Sequence, residues 1–525
     1  MIGLFLASAL AADLVGEITV KGRNDSIADA QIWVGSQSWT ADSKGQFSID
    51  LPIGVHRVEF RAVGYQSVIL DIQMPLRENL YVAMESAPPP MEVVVEADRD
   101  LPHSSFQVLD RERVERTPGT HDDPGRLFQA LPGVASTPEY SARSSQISIR
   151  GAAPGDSTFY FDGVELPYLF HFRQYSSVFH TRILETVSML PSTFGASHGD
   201  AIGGVVESTS RSADTVDSFH GGAAGNMVTA GVWLQTPTSS TGGVSASARR
   251  SHADLKENTS EWYTIWPVFW DYFGRGDQRW GTHQFSVSVF GAGDRYGRYV
   301  LQPEELGPLE KEANPPFEFD RAFHVASIRH KKTGKDWSSK ANIALVQDDW
   351  KGELPEASQR RLEHYLWLRQ DLEWRPSDFF ELVSGFQAKV QRVHRDVQTD
   401  RDWPELEGDA PLLARGVAVD ERLSRLNGGL YLEPRFQWGG LRVQLGSRVG
   451  VDSAVGAVVW DPRVTWRYKS QGRMALRGAL GKYSQAPELD DLSPLAGDSS
   501  LGFAQSRQAA LGVDVAVDGR IELSV

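Results

Sequence analysis

The most regular feature of the chain is a two-residue alternation of apolar and polar side chains that recurs through residues 216–525. Residues 283–289 and 441–446 alternate strictly. In residues 361–374, one face carries Leu362, Leu366, Leu368, Leu372 and Trp374, and the other carries Arg361, Glu363, Arg369, Asp371 and Glu373. Successive side chains of a β-strand point to opposite faces of the sheet, so this period predicts long amphipathic strands. A soluble antiparallel sheet alternates in the same way, so the kind of sheet stays open on this criterion.

The connections between these strands favour a membrane barrel. Tight turns are predicted at 375–378, 438–440, 470–472 and 517–519, whereas 294–318, 397–420 and 487–505 are long, polar and acidic. Alternating short and long connections are typical of outer-membrane barrels. Aromatic residues cluster at predicted strand ends, where they suit the girdles at a membrane interface. They are Trp262, Tyr263, Trp266, Phe269, Trp270, Trp337, Trp438, Trp466 and Tyr468. Ordinary core aromatics of a soluble sheet are the alternative.

Residues 14–86 contain shorter strands and frequent turn signals, a pattern that predicts a β-sandwich. Asp42-Ser43-Lys44-Gly45 is the clearest turn. The segment resembles the carboxypeptidase regulatory-like domain, which implies seven strands and no catalysis. The resemblance rests on Gly16, Ala30, Thr40, Asp42, Gly45, Phe47, Leu51, Pro52, Gly54, Gly64 and Tyr65.

Residues 98–212 predict a small mixed α/β domain with glycine-dependent turns. A short helix ends at Leu131-Pro132-Gly133, a strand ends at Arg150-Gly151, and another runs into the turn dipeptide Asp162-Gly163. Gly195 and the pair Gly203-Gly204 complete the series. In this order the motifs resemble the plug domain of TonB-dependent outer-membrane receptors. Two residues depart from the family pattern. Phe194 stands where the family usually has tyrosine, and Pro191 stands where it often has Lys-Gly or Pro-Gly.

The resemblance implies the fold class: mainly β, with an N-terminal β-sandwich, a small α/β plug and an antiparallel outer-membrane β-barrel. The family closes a 22-stranded barrel around its plug. About fifteen candidate strands occur in residues 216–525, and the chain stops within an alternating run at Val525. We therefore expect a C-terminally incomplete barrel.

Residues 87–97 combine a stiff proline spacer with a short β-prone segment. One interpretation is a further strand of the sandwich. The other is a free strand that adds to a partner's sheet edge, as in a TonB box, with TonB of the inner membrane as the partner. The predicted docking residues are Glu92, Val93, Val94, Val95, Glu96 and Ala97.

An aromatic and basic stretch at 167–175 corresponds to an apical plug loop of the family. Its candidate ligand contacts are Tyr168, His171, Phe172, Arg173 and Tyr175, with plug–barrel packing as the alternative. A single histidine makes a poor metal site, so neither a metal nor a cofactor is predicted. Arg150 is expected to be desolvated inside the barrel and to need carboxylate partners there.

The N-terminal segment and the overall composition narrow the location and the class of function. Residues 1–12 resemble the last part of a signal peptide, with Ala9-Leu10-Ala11 as the cleavage site. The basic region that normally begins such a peptide is missing, so we expect the true start to lie upstream. The absence of cysteine excludes disulfides and thiolate chemistry. A formal charge of −15 argues against nucleic-acid binding.

Three functions compete. The first is energised import of a scarce or bulky ligand, such as a siderophore, cobalamin, oligosaccharide or peptide, through a barrel that contacts outer-membrane lipid. The second is a secreted or surface β-rich binding protein. The third is a hydrolase, because residues 195–199 match G-x-S-x-G around Ser197, but no helix is predicted to follow the serine. The import function predicts no catalytic residue.

Overall fold

The computed structural model describes residues 11–20, 26–35, 37–62, 65, 67–76, 79–84, 107–110, 123–129, 131–136, 147–171, 176–252, 258–259, 263–265, 268–300, 316–354, 357–399, 418–469, 474–494, 497–516 and 522–524. They form two compact units, within residues 1–100 and 101–525. The predicted signal peptide lies outside the described residues except for Ala11 and Ala12, and so do all of residues 87–97.

Seven strands in two sheets build the first unit. They are β1 Ala11–Val20, β2 Gln31–Val34, β3 Gln37–Thr40, β4 Gln46–Pro52, β5 Gly54–Arg61, β6 Val68–Met74 and β7 Leu80–Met84. The sheet orders are β4-β1-β7 and β3-β2-β5-β6. Buried residues of both sheets share one core, in which the rings of Phe47 and Phe60 lie 5.6 Å apart. The seven-stranded sandwich implied by the sequence is confirmed.

The predicted turn before β4 is held by an aspartate. The Asp42 carboxylate accepts the backbone N–H groups of Lys44 and Gln46, both at 2.8 Å. Gly45 has a φ of +71°, which an L side chain rarely adopts. The local chemistry of this turn therefore fixes the tight connection by which the chain passes from β3 in one sheet to β4 in the other.

The plug begins the second unit. Its strands are β8 Gln107–Asp110, β9 Val134–Ser136, β10 Ile147–Ile149, β11 Thr158–Phe161, β12 Val164–Glu165, β13 Leu184–Leu190 and β14 Val205–Ser210. Its helix is Pro124–Gln129, and 3-10 turns lie at Pro154–Asp156, Thr181–Ile183 and Ala213–Thr215. The main sheet has the order β12-β11-β14-β13-β8, with β11 and β14 parallel. The small mixed domain predicted from the sequence is confirmed.

A sheet of 17 strands follows within the described residues, with its strands in chain order. The strands are β15 His220–Gly225, β16 Thr229–Ser239, β17 Gly242–Ser251, β18 Asn258–Thr259, β19 Tyr263–Ile265, β20 Val268–Trp280, β21 His283–Val300, β22 Phe317–Thr333, β23 Trp337–Leu354, β24 Ala357–Ser377, β25 Phe380–Thr399, β26 Val419–Trp438, β27 Leu441–Asp452, β28 Ala457–Lys469, β29 Met474–Gln485, β30 Ala504–Ala516 and β31 Glu522–Ser524. In addition, β17 pairs with β20 and β19 pairs with β21.

The outward face of this sheet is apolar and its inward face carries charged residues, which is the opposite of the arrangement in a soluble protein. Four side chains of β24 face inward and are buried: the charged Glu363 and Arg369, and the aromatic Tyr365 and Trp367. Outward positions are apolar and exposed, and include Val287, Ile328, Ile343, Leu345, Leu430, Leu432, Leu480 and Leu511. A sheet with an apolar outward face is expected of a barrel whose solvent is lipid. The alternating faces predicted for residues 361–374 are therefore confirmed.

The connections differ in length at the two ends of the sheet. Turns 281–282, 334–336, 378–379 and 439–440 lie at one end, and connections 301–316, 400–418 and 486–503 at the other. The predicted connection 294–318 is shorter than expected, because β21 continues to Val300. The alternation of apolar and polar residues is hard to recognise in the second half of β21, because Gly291 and Gly293 occupy positions on its apolar face.

Exposed aromatic residues lie at the short-turn end, including Trp280, Trp337, Trp374, Trp438 and Tyr468. The sequence pattern assigns Phe269 to such a girdle, and this prediction is wrong. Its side chain is 4% exposed and stacks at 4.4 Å on the ring of His171 in the plug. No helix among the described residues is long and apolar enough to cross a membrane.

The sheet curves around the plug, since strands as far apart in the sheet as β17, β28 and β30 all contact it. The plug core merges with inward aromatic residues of the sheet. Phe161, for example, packs edge-on against Phe273 and Phe290 at 5.8 and 4.9 Å. Plug and sheet thus share one core and form a single unit.

Candidate functional site

The interface between plug and sheet is the candidate functional site, and much of it consists of hydrogen bonds to the plug backbone. Asn342 Nδ2 donates to the carbonyl of Asp162 at 2.8 Å, and Trp367 Nε1 donates to that of Gly163 at 2.9 Å. Both donors face inward from neighbouring strands, β23 and β24. The predicted Asp-Gly turn has positive φ at both residues, +51° and +80°, as a type I′ turn requires.

The carboxylate of Asp162 is the centre of a buried ion cluster. It lies 3.2 Å from Arg329 Nη1 and 3.7 Å from Arg275 Nη1, and accepts Ser210 Oγ at 2.5 Å. Burial raises the pKa of Asp162, but the two arginines and Ser210 outweigh burial, so the pKa falls below its ordinary value. Asp162 therefore binds the plug to β20 and β22 as an anion.

A second contact holds the plug loop 194–198 by its carbonyls. Arg463 of β28 donates from Nη1 to the carbonyls of Phe194 at 3.2 Å and His198 at 2.8 Å, and also to that of Gly195. The same guanidinium lies over the rings of Phe194 and Tyr483, 5.1 and 4.3 Å from their centroids. One buried cation thus fixes three peptide groups and two aromatic rings.

The carboxylate of Glu433 on β26 holds the other side of this loop. It accepts the backbone N–H of Ala196 at 2.7 Å. A Cβ at Gly195 would lie 2.8 Å from the Glu433 carboxylate oxygen, so this close approach requires glycine. The motif glycine therefore serves the plug–sheet contact.

The predicted ligand contacts Tyr168 and His171 lie at the plug–sheet interface. Tyr168 donates to the carbonyl of Ala292 at 3.1 Å, and Arg321 lies 4.3 Å above its ring. The ring nitrogens of His171 lie 3.1 Å from Asp294 and 3.3 Å from Asp271. Burial lowers the pKa of His171, but the two carboxylates outweigh burial and raise it above 6.5.

Asp271 is shared between His171 and Arg249 of β17, whose Nε lies 2.8 Å from the carboxylate. Arg249 also donates to Ser176 Oγ at 2.9 Å and to the carbonyl of Ser177. The apex of the plug is therefore joined to β17, β20 and β21 by one chain of charges. The other predicted ligand contacts, Phe172, Arg173 and Tyr175, lie outside the described residues.

The environment predicted for Arg150 is wrong. Its side chain is exposed, and Nη1 donates to Ser192 Oγ of the plug at 2.7 Å. Among the described residues it has no carboxylate partner; partial burial lowers its pKa, and the nearby charge of Arg477 lowers it further. The backbone turns at Arg150, where φ is +52°, and the side chain bonds to another residue of the plug.

The remaining motif residues shape the plug itself. The Leu131-Pro132-Gly133 turn lies beside β10, and the carbonyl of Gly133 accepts the N–H of Arg150 at 2.6 Å. Gly151 continues that turn with a φ of +78°. Gly203 passes closely by the 3-10 turn at Pro154–Asp156, since an added Cβ would lie 2.9 Å from Ser157 Oγ. Gly204 packs instead against β10, since its added Cβ would lie 2.9 Å from Ile149 Cδ1.

A cavity of about 610 Å³ adjoins the apex of the plug. Its polar lining includes Asp123, Ser176, His180 and Arg249, and Phe269 supplies an apolar wall. Burial, with Arg249 as the second cause, lowers the pKa of His180 to about 4, so this side chain is neutral near pH 7. The cavity combines charged side chains of both signs with an aromatic surface next to the plug.

Ser197 does not lie in a hydrolase elbow. It occupies a turn in the fully described segment 191–204, and β14 follows where an elbow needs a helix. Its Oγ lies 3.2 Å from Nδ1 of the adjacent His198. Within the described residues, no three His, Asp or Glu side chains are grouped so as to hold a metal ion.

The sheet residues that hold the plug were not identified from the sequence. Arg275, Asn342, Trp367, Glu433 and Arg463 all occupy inward positions of alternating strands, where polar residues are expected in any barrel. The alternate positions of these residues along their strands indicate that they lie on the inner face. Their partners depend on strand register across 65 to 269 residues of chain, which a single sequence does not reveal.

Residues 98–205 match the family described as TonB-dependent Receptor Plug Domain. A comparison with curated proteins finds no match. Among solved structures, a mutant ferric enterobactin receptor of Pseudomonas aeruginosa is similar, with TM-score 0.59 and 16% identity over 79% of this chain and 69% of that one.

Two further structures agree. The outer membrane transporter YddB of Escherichia coli has TM-score 0.60 and 11% identity over 79% of this chain and 67% of its own. The siderophore receptor PirA of Acinetobacter baumannii has TM-score 0.59 and 15% identity, covering 80% and 69%. The architecture and the apolar outward face together place the protein in the outer membrane.

Proposed function

We propose that this chain, with the plug domain and the barrel fold of TonB-dependent outer-membrane receptors, actively imports a scarce or bulky ligand. The observation that carries the proposal is a plug domain held inside the curved sheet by many hydrogen bonds and ion pairs beside the shared apolar core. Hydrogen bonds and ion pairs can be exchanged for water when a plug moves. The plug would therefore act as the gate.

The ligand is proposed to meet the plug at its apex. The cavity beside His180 and Arg249 supports this position, as does the aromatic and basic composition of residues 172–175. Siderophores, cobalamin, oligosaccharides and peptides remain the candidate classes. Two of the similar structures are described as siderophore receptors or ferric enterobactin receptors, which makes a ferric siderophore the first to test.

A ligand screen tests this assignment. Ferric enterobactin, cyanocobalamin, maltodextrin and a mixed peptide pool are added in turn to the purified full chain, and the thermal midpoint is measured. A ligand at about 100 times its Kd stabilises the folded state by about 2.7 kcal/mol. We expect one class to raise the midpoint, and Arg249→Gln to reduce that rise. Equal midpoints with all four classes would contradict the proposed ligand range.

Energy is proposed to enter through residues 92–97, which would pair with an edge strand of TonB. The β-prone sequence after the Pro88–Pro90 spacer supports this role. Val94→Pro removes a backbone donor from the paired strand, whereas Val94→Ile keeps both the donor and the β propensity.

Binding of the purified periplasmic domain of TonB to the full chain is the measurement. We expect Val94→Pro to weaken binding about tenfold or more and Val94→Ile to leave it within about twofold. If both variants bind as the original chain does, TonB does not dock here, and the plug-gated import would need another docking segment.

A further inference from the structure

A row of polar side chains crosses the outward face of the sheet on five neighbouring strands. His324 of β22 lies opposite Gln347 of β23, which lies opposite His364 of β24. His364 lies opposite Arg392 of β25, and Arg392 opposite Ser424 of β26. We refer to these five residues as the outer-face row.

The outer-face row borders the apolar band of the sheet. The next outward residues toward the short turns are Leu345, Leu366, Val390 and Leu426. His364 lies ten residues from Trp374, the aromatic residue at the short-turn end of the same strand. At about 3.3 Å per residue and a tilt of about 40°, this distance spans about 25 Å of membrane.

The row therefore lies at the membrane surface nearest the long connections. Long connections mark the extracellular end of outer-membrane barrels. Side chains at this level meet the headgroups of the outer leaflet.

The outer-face row carries no acidic side chain, whereas Asp396 and Asp420 lie beyond it toward the long connections. Arg422 extends the cationic surface, because it lies two residues from Ser424 on the same face and is opposite His394. Nearby, Arg360 pairs with Asp349 at 2.8 Å, and His394 lies 2.8 Å from Asp420. Arg392 and Arg422 are exposed and form no ion pair with any residue that the structure describes.

We propose that Arg392 and Arg422, with His364 and Gln347 beside them, bind a phosphate group of an anionic glycolipid in the outer leaflet. Diagonal neighbours on paired strands lie about 7–8 Å apart, close enough for two long side chains to share one phosphate. Guanidinium groups donate paired hydrogen bonds to phosphate oxygens. The acyl chains of that lipid would lie on Leu366, Val390 and Leu426 directly below.

The test uses the full chain purified in detergent and diphosphorylated lipid A as the probe, with binding followed by native mass spectrometry. We expect the double variant Arg392→Gln/Arg422→Gln to lower affinity about tenfold. Arg360→Gln is the matched control, because it removes the same charge from the same face while its native partner is Asp349. This control is expected to bind within about twofold of the original chain.

Two further measurements distinguish recognition of a lipid phosphate from binding of a soluble anion and from loss of the fold. Dephosphorylated lipid A should bind the original chain about as weakly as the phosphorylated lipid binds the double variant. All variants should keep the heat-modifiable mobility of a folded barrel on gels. Equal binding by the double variant overturns the proposal. So does displacement of the lipid by inorganic phosphate at the same concentration, because the site would then select a soluble anion.

Discussion

Asp162 shows how a single residue can join a plug to the wall around it. Its carboxylate is 4% exposed and faces two arginines from different strands, Arg275 and Arg329. Removing one partner of a buried ion pair costs more than the pair contributes, because the other charge stays desolvated. Arg275 keeps Asp277 at 2.7 Å, so Arg329 would lose most.

Asp162→Asn is expected to destabilise the plug–sheet contact by about 3 kcal/mol, the lower end of the usual range, because Asp277 still neutralises Arg275. The measurement is the thermal midpoint of the purified chain in detergent. Asp217→Asn, at a carboxylate that is 90% exposed, is the control and should leave the midpoint nearly unchanged. Equal midpoints for both variants would show that the cluster does not stabilise the plug.

His171 predicts a dependence on pH at the apex. Its pKa is raised in the folded state, so its protonated form is favoured by folding. This stabilisation is fully present below pH 6.5 and is lost as the pH rises through the raised value. We expect the thermal midpoint to fall at alkaline pH, and His171→Gln to flatten the profile. A variant with the same alkaline slope as the original chain would locate the titration elsewhere.

At the scale of strands and turns, the sequence predicted the architecture well because these features are local. Alternation across residues 361–374 separated the inward from the outward residues, and the turn residues Asp42 to Gly45 placed a tight turn. The assignments of Phe269 and Arg150 failed for a different reason. Each depended on where another segment lies: His171 of the plug stacks on Phe269, and Ser192 accepts a hydrogen bond from Arg150.

The apolar outward face of the strands predicts that the cost of a charged substitution depends on its depth in the membrane. Ile343 of β23 faces outward in the apolar band and is 53% exposed, and Gln347 of the same strand lies at its border. Ile343→Lys should destabilise the lipid-embedded chain by about 2–4 kcal/mol, and Gln347→Lys by about 0–1 kcal/mol. Urea unfolding in phospholipid vesicles measures both. Similar losses at the two positions would contradict the assigned depth.

For the whole molecule, import requires the plug to move against the sheet. A Cβ built at Gly446 of β27 would lie 3.1 Å from the Cβ of Ala196 in the plug, near the roughly 3.5–4.5 Å of a disulfide. The chain has no native cysteine, so Ala196→Cys/Gly446→Cys can form a single cross-link within it.

Oxidation of this double variant is expected to abolish uptake of whichever ligand stabilises the protein in the screen, while binding is retained. Reduction should restore uptake. Each single cysteine variant serves as the control for the substitutions themselves. Undiminished uptake by the oxidised double variant would mean that the ligand passes without movement at this contact.

The hydrogen bonds from sheet side chains to plug carbonyls limit how the sequence of the plug turns can change in evolution. Arg463, Asn342 and Trp367 recognise peptide groups, which every amino acid supplies. Point substitutions in the plug turns leave those acceptors in place, whereas inserting or deleting one residue shifts all of them out of register. Lineages of such a protein can thus diverge widely in composition at these turns while their lengths stay fixed.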